Sequence, residues 1–102
     1  MSKFDDRLHN NQVGPVMRAG ELADAVIEAA EIDNPDKEID VKDMTAYFRI
    51  STDTEMILRR ETIEQCLGRN FKMAELEISM SSFAGKIESG TDQFRFYFTS
   101  QL

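Results

Sequence analysis

With 102 residues, 41% of them apolar and 30% charged, the chain is sized for one globular domain and leaves little room for a second. A formal net charge of −7 argues against nucleic acid as a partner, because phosphate binding is driven by Lys and Arg. No apolar run exceeds three residues, so no membrane span is expected. One cysteine, Cys66, excludes an internal disulfide and a thiolate cluster.

Residues 1–12 are polar apart from Phe4 and Leu8, and they read as an extension to a domain spanning 13–102. They carry no apolar stretch suited to a signal peptide, so a cytoplasmic protein is expected. Val13 to Met17 is apolar but contains Gly14 and Pro15, which predicts an edge strand. From Gly20 to Glu31, Leu22, Ala23, Val26, Ile27 and Ala30 recur at helical spacing. Glu21, Asp24, Glu28 and Glu31 take the outer positions. Asn34-Pro35-Asp36 ends this helix, and Lys37 to Asp43 reads as a polar connection.

Ala46, Phe48 and Ile50 alternate with Tyr47, Arg49 and Ser51, the period of a strand with one buried face. Ser51 to Thr54 is a turn cluster and Glu55 to Arg59 a returning strand, which together predict a hairpin. A second helix is expected over Arg60 to Leu67, with Ile63, Cys66 and Leu67 inward and Gly68 as its cap. Met73 to Leu76 suggests one more helical turn. Leu76, Ile78 and Met80 then alternate with Glu77, Ser79 and Ser81, as in a strand. After Gly85 come a short strand around Ile87, a turn at Ser89 to Asp92, and a strand pointing Phe94, Phe96 and Phe98 to one face. The expectation is an α+β domain of six or seven strands in largely antiparallel sheets, with two or three helices.

Chemistry of its own is missing from the sequence. His9 stands alone, no glycine-rich phosphate loop is present, and no ligand set suggests a metal. Glu61 and Glu64 have acid–base spacing, yet Glu61 at a helix start is accounted for by the helix dipole. No catalytic, cofactor-binding or metal-binding residue is assigned, and no cofactor is expected. Charge is uneven: from Glu21 to Asp43 nine acidic residues face Lys37 and Lys42, whereas from Arg59 onward six face six. Such a face either steers toward a basic partner or keeps the protein soluble. Ser79, Ser81, Ser82 and Thr91, near Gly85, form either the solvent side of a strand or a low patch that lies flat on a partner.

The order of several segments resembles a known family. His9-Asn10-Asn11, Val13-Gly14-Pro15, Arg18-Ala19-Gly20 and Ala30 to Pro35 resemble the start of toluene monooxygenase effector proteins. Arg60 to Arg69, Met73 to Ile78, Ser82-Phe83-Ala84-Gly85 and Asp92 to Phe98 continue the likeness. The wider family is the regulatory or coupling proteins of methane monooxygenase, phenol hydroxylase and toluene monooxygenases. The resemblance implies a cofactor-free, non-catalytic subunit, and the chain is expected to be monomeric when free, because its only large apolar pattern is consumed by its own core. It would dock on a diiron hydroxylase and raise rate, coupling and regiospecificity. Its surface would overlap that used by the Rieske ferredoxin or reductase. It further implies that Phe4, Leu8, His9, Asn10 and Asn11 meet the hydroxylase. By likeness to a Ser-Ser-x-x-Gly segment it adds Ser81, Ser82, Phe83 and Gly85, with Ser79 beside them. Phe83 departs from the small hydroxyl residue of the methane relatives, and core and interface both remain open for it. The alternative is a free-standing interaction module that binds some other protein on a sheet edge.

Overall fold

A computed structural model describes residues 11–99. Its elements are β1 (Gln12–Arg18), α1 (Glu21–Asp33), β2 (Asp40–Asp43), β3 (Tyr47–Asp53), β4 (Glu55–Arg59), α2 (Arg60–Leu67), α3 (Met73–Ser79), β5 (Met80–Ala84), β6 (Lys86–Ser89) and β7 (Gln93–Tyr97). The strands form two antiparallel sheets, one in the order β2-β3-β1-β5 and one in the order β4-β7-β6. The α+β expectation holds, with three helices and seven strands among the described residues.

One core lies between the sheets and under the helices. Val13 and Met17 of β1, Ile50 of β3, Met56 and Leu58 of β4, and Phe94 and Phe96 of β7 meet there. Ala23, Val26, Ala29 and Ala30 bring α1 in, and small side chains on that stripe let the helix lie close. Ile63, Phe71, Met73 and Leu76 close the opposite side. Each fully buried aliphatic or aromatic side chain here contributes roughly 1.5–3 kcal/mol relative to solvent.

Several local expectations are corrected. β1 is not an edge strand: it runs between β3 and β5. Its pairing with β3 joins Val13 to Thr52 and Val16 to Arg49, passing over Gly14 and Pro15. Pro15, which has no N–H, therefore sits where the ladder is interrupted, and an interior strand tolerates it. Gly14 is required beside it. Its φ is +140°, and a Cβ would stand 2.1 Å from the Ile50 carbonyl oxygen.

The expected hairpin of β3 and β4 does not form, because those strands belong to different sheets. β3 continues through Ser51, Thr52 and Asp53, and Thr54 alone, at φ 63°, redirects the chain. The cluster has turn composition, but β4 finds its partner in β7 and crosses instead of folding back. Lys37 to Asp43 contains β2, invisible to hydrophobic patterning because all four of its residues are exposed. The strand expected from Leu76 starts only at Met80, since α3 extends through Ser79. Phe94 and Phe96 point inward as expected, while Phe98 lies past the end of β7 and is 42% exposed. The helix over Arg60 to Leu67 is found as expected, closed by Gly68 in the left-handed region at φ 77°.

Asp33 and Asn34 do more than end a helix. The buried Asn34 amide donates from Nδ2 to the carbonyls of Ala30 and Ile57, each at 2.8 Å, and its Oδ1 accepts the Ile57 N–H at 2.9 Å. Asp33 accepts the Arg59 N–H at 2.9 Å and the Thr62 hydroxyl at 2.7 Å, beside the start of α2. Together they occupy the side of β4 that faces away from β7. Replacing Asn34 with Ala would strand both peptide groups of Ile57, at about 1–3 kcal/mol for each buried group left unpaired. Asn34→Ala is expected to lower the folding free energy by about 3 kcal/mol, read as a fall in the chemical denaturation midpoint at unchanged slope. Asn34→Asp, which keeps the acceptor and loses the donor, should remain clearly destabilised.

Candidate docking face

Four chain passages meet at one end of the sandwich. The Thr54 N–H donates to the Asn11 carbonyl at 3.0 Å, and the Phe98 N–H donates to the Thr54 carbonyl at 2.8 Å. Lys37 Nζ donates to the Asp53 carbonyl at 2.6 Å and to Thr54 Oγ1 at 2.9 Å, fastening the corner where the chain changes sheet. Gly85, between β5 and β6, is the second crossing between sheets. Its φ is +89°, and a Cβ there would fall 2.6 Å from Val13 Cγ1 and 2.7 Å from the Tyr97 carbonyl oxygen. The start of β1 and the segment Ser81 to Gly85 therefore share this end of the molecule.

Along β5, Ser81, Ser82, Phe83 and Ala84 are all exposed. Ser82, Phe83 and Ala84 pair with Val16, Pro15 and Gly14, and Met80 pairs with Met17, so Ser81 is an extra, bulged residue. Its hydroxyl donates to the Val16 carbonyl at 3.3 Å. Ser79 is half-buried in the last turn of α3 and does not share a strand with them. The strand alternation expected of Glu77, Ser79 and Ser81 is thus absent. Helix and bulge both break it.

Phe83 stands at the rim, with features of both readings. Its ring lies 6.1 Å from that of the fully buried Phe96, tilted by 55°, and 41% of the residue is exposed. Ser82 and Ala84 line a shallow groove of about 300 Å³ with Val16, Arg49 and Ser51 on the outer surface of the sheet. Thr91 is not near Gly85. It follows the far end of β6, beyond its four residues, roughly 13 Å of strand. Phe4, Leu8, His9 and Asn10 lie outside the described residues, and Asn11 is the first one placed.

A second concavity, of about 650 Å³, lies between the start of α3 and the β6–β7 turn, over Phe71 and Phe94. Arg60 and Asp92 at its side are joined to each other, and Arg60 also pairs with Glu64. Glu64 further accepts the Phe71 N–H at 3.0 Å, so it is a structural acceptor. Glu61 is exposed and is not bonded to it. Burial, with Glu28 alongside, pushes the Cys66 thiol up, which disfavours the thiolate a nucleophile needs. Among the described residues no group of three His, Cys, Asp or Glu side chains is arranged to hold a metal ion. Among the described residues no helix is long and apolar enough to cross a membrane.

The chain matches the MmoB/DmpM family over residues 11–97. It belongs to that family. The chain is 50% identical over 95 residues to the effector subunit of an alkene monooxygenase system from Xanthobacter autotrophicus, covering 93% of this chain and 94% of that one. It is 32% identical over 69 residues to the stimulatory component of phenol 2-monooxygenase from a Pseudomonas species, covering 68% and 74%. Among solved structures, a chain of a phenol hydroxylase–regulatory protein complex superposes with a TM-score of 0.71 at 30% identity, covering 86% of this chain and 99% of its own. The regulatory protein B of soluble methane monooxygenase shares the fold, with a TM-score of 0.65 at 19% identity over 89% of this chain and 67% of that one. The two sequence relatives are named as an effector subunit and a stimulatory component, and neither as a catalytic subunit.

From sequence, Gly85→Arg was expected to disturb a complex more than the isolated fold. The positive φ and the nearby Tyr97 carbonyl reverse that expectation. Gly85→Ala and Gly85→Arg should each cost at least about 2 kcal/mol of stability. Phe83→Ala should cost about 2 kcal/mol, half the roughly 3–5 kcal/mol of a fully buried Phe, because its ring is packed on one side only. Thermal and urea denaturation of the three variants would check both values.

Proposed function

We propose that this chain is the non-catalytic effector subunit of a multicomponent monooxygenase, acting by docking on the hydroxylase component. The observation that carries the reading is likeness along almost the whole length to an alkene monooxygenase effector subunit. The phenol hydroxylase–regulatory protein complex, whose matching chain is almost fully covered, supports the hydroxylase as the partner. A free-standing module unrelated to oxygenases gains nothing from these relatives.

In finer terms, the hydroxylase is a diiron enzyme of the toluene type, and this subunit raises its rate, coupling and regiospecificity without a cofactor. The toluene assignment rests on the segments running from His9 to Phe98, while the relatives' names carry alkene and phenol. The docking face comprises Asn11, Ser81, Ser82, Phe83 and Gly85, with Ser79 at its margin, and Phe4, Leu8, His9 and Asn10 are further hydroxylase-binding residues. A Rieske ferredoxin or reductase competes for an overlapping part of the hydroxylase. The free subunit is a cytoplasmic monomer.

An uncharged face of small side chains allows two backbones to come close without removing charge from water. A carboxylate placed there would lose hydration on docking, at a cost of several kcal/mol that Arg49, the one cation lining the same groove, offsets only in part, and each ~1.4 kcal/mol is tenfold in affinity. Ser82→Glu is therefore expected to keep the native melting temperature and to weaken hydroxylase stimulation at least tenfold at subsaturating concentration. The assay is toluene turnover and product distribution in a system reconstituted from hydroxylase and electron donors, titrated with this protein. Equal titration curves for Ser82→Glu and the native chain would remove β5 from the docking face. A native chain that left turnover unchanged would sink the effector reading.

A further inference from the structure

The edge of a sheet presents unpaired N–H and C=O groups to any extended chain, so proteins block edges with charge, proline or covering segments. The two sheets have four edges, and three are blocked. β2 carries Asp40, Lys42 and Asp43. β6 carries Lys86 and Glu88. The outer groups of β4 are taken by Asp33 and Asn34. β5, with the sequence Met-Ser-Ser-Phe-Ala, has no charge and no proline, and among the described residues no strand lies beyond it.

The direction of its peptide groups follows from the ladder. Ser81 Oγ reaches the Val16 carbonyl, so that carbonyl is turned toward β5. Ser82, the partner of Val16, turns its own groups back to β1. Successive residues of a strand alternate sides, so the N–H and C=O of Phe83 point away from β1 and out of the sheet. Opposite Phe83 stands Pro15, which has no N–H to donate.

The geometry points to strand addition at β5: an extended segment of the hydroxylase pairs with this edge through the N–H and C=O of Phe83. Every second side chain of the incoming segment would face the groove of about 300 Å³ that begins at Ser82 and Ala84 and ends at Arg49. Arg49 is exposed and is in no ion pair among the described residues, so the entering side chain is polar or acidic. A second copy of this chain is the poorer occupant, since two chains of formal charge −7 repel and the bulge at Ser81 disturbs β5–β5 pairing. This inference rests on the docking reading above and specifies how that docking is made.

Two measurements test it. In the native chain, hydrogen exchange of the Phe83 amide is expected to be fast when free and at least tenfold slower in the complex with hydroxylase. For the second, Cys66 permits ligation of a 1–65 thioester to a synthetic Cys66–Leu102 peptide containing N-methyl-Phe83, which keeps every side chain. That full-length chain should melt as the native one does and bind hydroxylase at least tenfold more weakly. Should the methylated chain fail to fold, the exchange measurement decides alone. Binding of the native chain with unchanged Phe83 exchange would overturn strand addition and leave the effector reading standing. Absence of any binding or stimulation would instead defeat the effector reading. A native dimer that N-methylation dissolves would give the edge to a second copy. Protection of Phe83 in the free chain, lost on deleting residues 2–10, would give it to the chain's own beginning. Either result overturns the assignment to the hydroxylase.

Discussion

The structure turns on how β4 is held. Its sheet offers it one partner, β7, and its other side would be an open edge against the end of α1. Asp33 and Asn34 close that side with side-chain groups standing in for a strand, pairing Ile57 on both its N–H and C=O and Arg59 on its N–H. The same two residues end α1 and, through Thr62, meet the beginning of α2. One short polar segment therefore sets the position of α1, β4 and α2 relative to one another. The core side chains Ala30, Leu58 and Ile63 come together inside that frame. Dispersion and apolar burial supply most of the stability, but they are non-directional. The directional bonds at Asn34 fix which packing is reached.

Charge and the proposed docking face are separated on the molecule. Glu21, Asp24, Glu28 and Glu31 on α1 and Asp40 and Asp43 on β2 are all exposed, whereas Ser81 to Ala84 carry no charge. In the outer layer of the second sheet, Arg95 is paired with Glu55 and Glu88 and stacks 4.3 Å from the centre of the Tyr97 ring, so that layer is saturated internally. Long-range fields would thus arise on one part of the surface and close approach would occur on another. In such an arrangement salt governs the rate of encounter more than the stability of the contact.

Patterns that are local in sequence were the legible ones. The α1 stripe, the α2 helix with Gly68, and the alternation of Phe94 and Phe96 each depend on neighbours a few residues away. The end-to-end likeness in motifs placed the family before any geometry. Features set by distant partners were not legible. Ser51 to Thr54 has the composition of a turn whether the next strand folds back or crosses, and only the pairing of β4 with β7 decides. Pro15 reads as an edge residue until the interruption opposite Ile50 is known. β2 has no apolar face to betray it. Asn34 before Pro35 reads as a helix end, and its bonds to Ile57 join residues 23 apart. Within the candidate face, Ser81, Ser82, Phe83 and Gly85 do come together on one segment, but the bulge and the extra turn of α3 changed the directions inferred for them.

The contact of Gly85 with Val13 and the Tyr97 carbonyl leaves no room for even a methyl group. It wedges the exit of β5 against strands from both sheets, so that end of β5 has little room to shift. When two bodies are pressed into mutual fit, strain collects in the softer one. A strand end held in this way changes little when it meets a partner, and the partner takes up the deformation. If β5 is the docking edge proposed above, a firmly held strand there would pass the deformation to the hydroxylase and not absorb it.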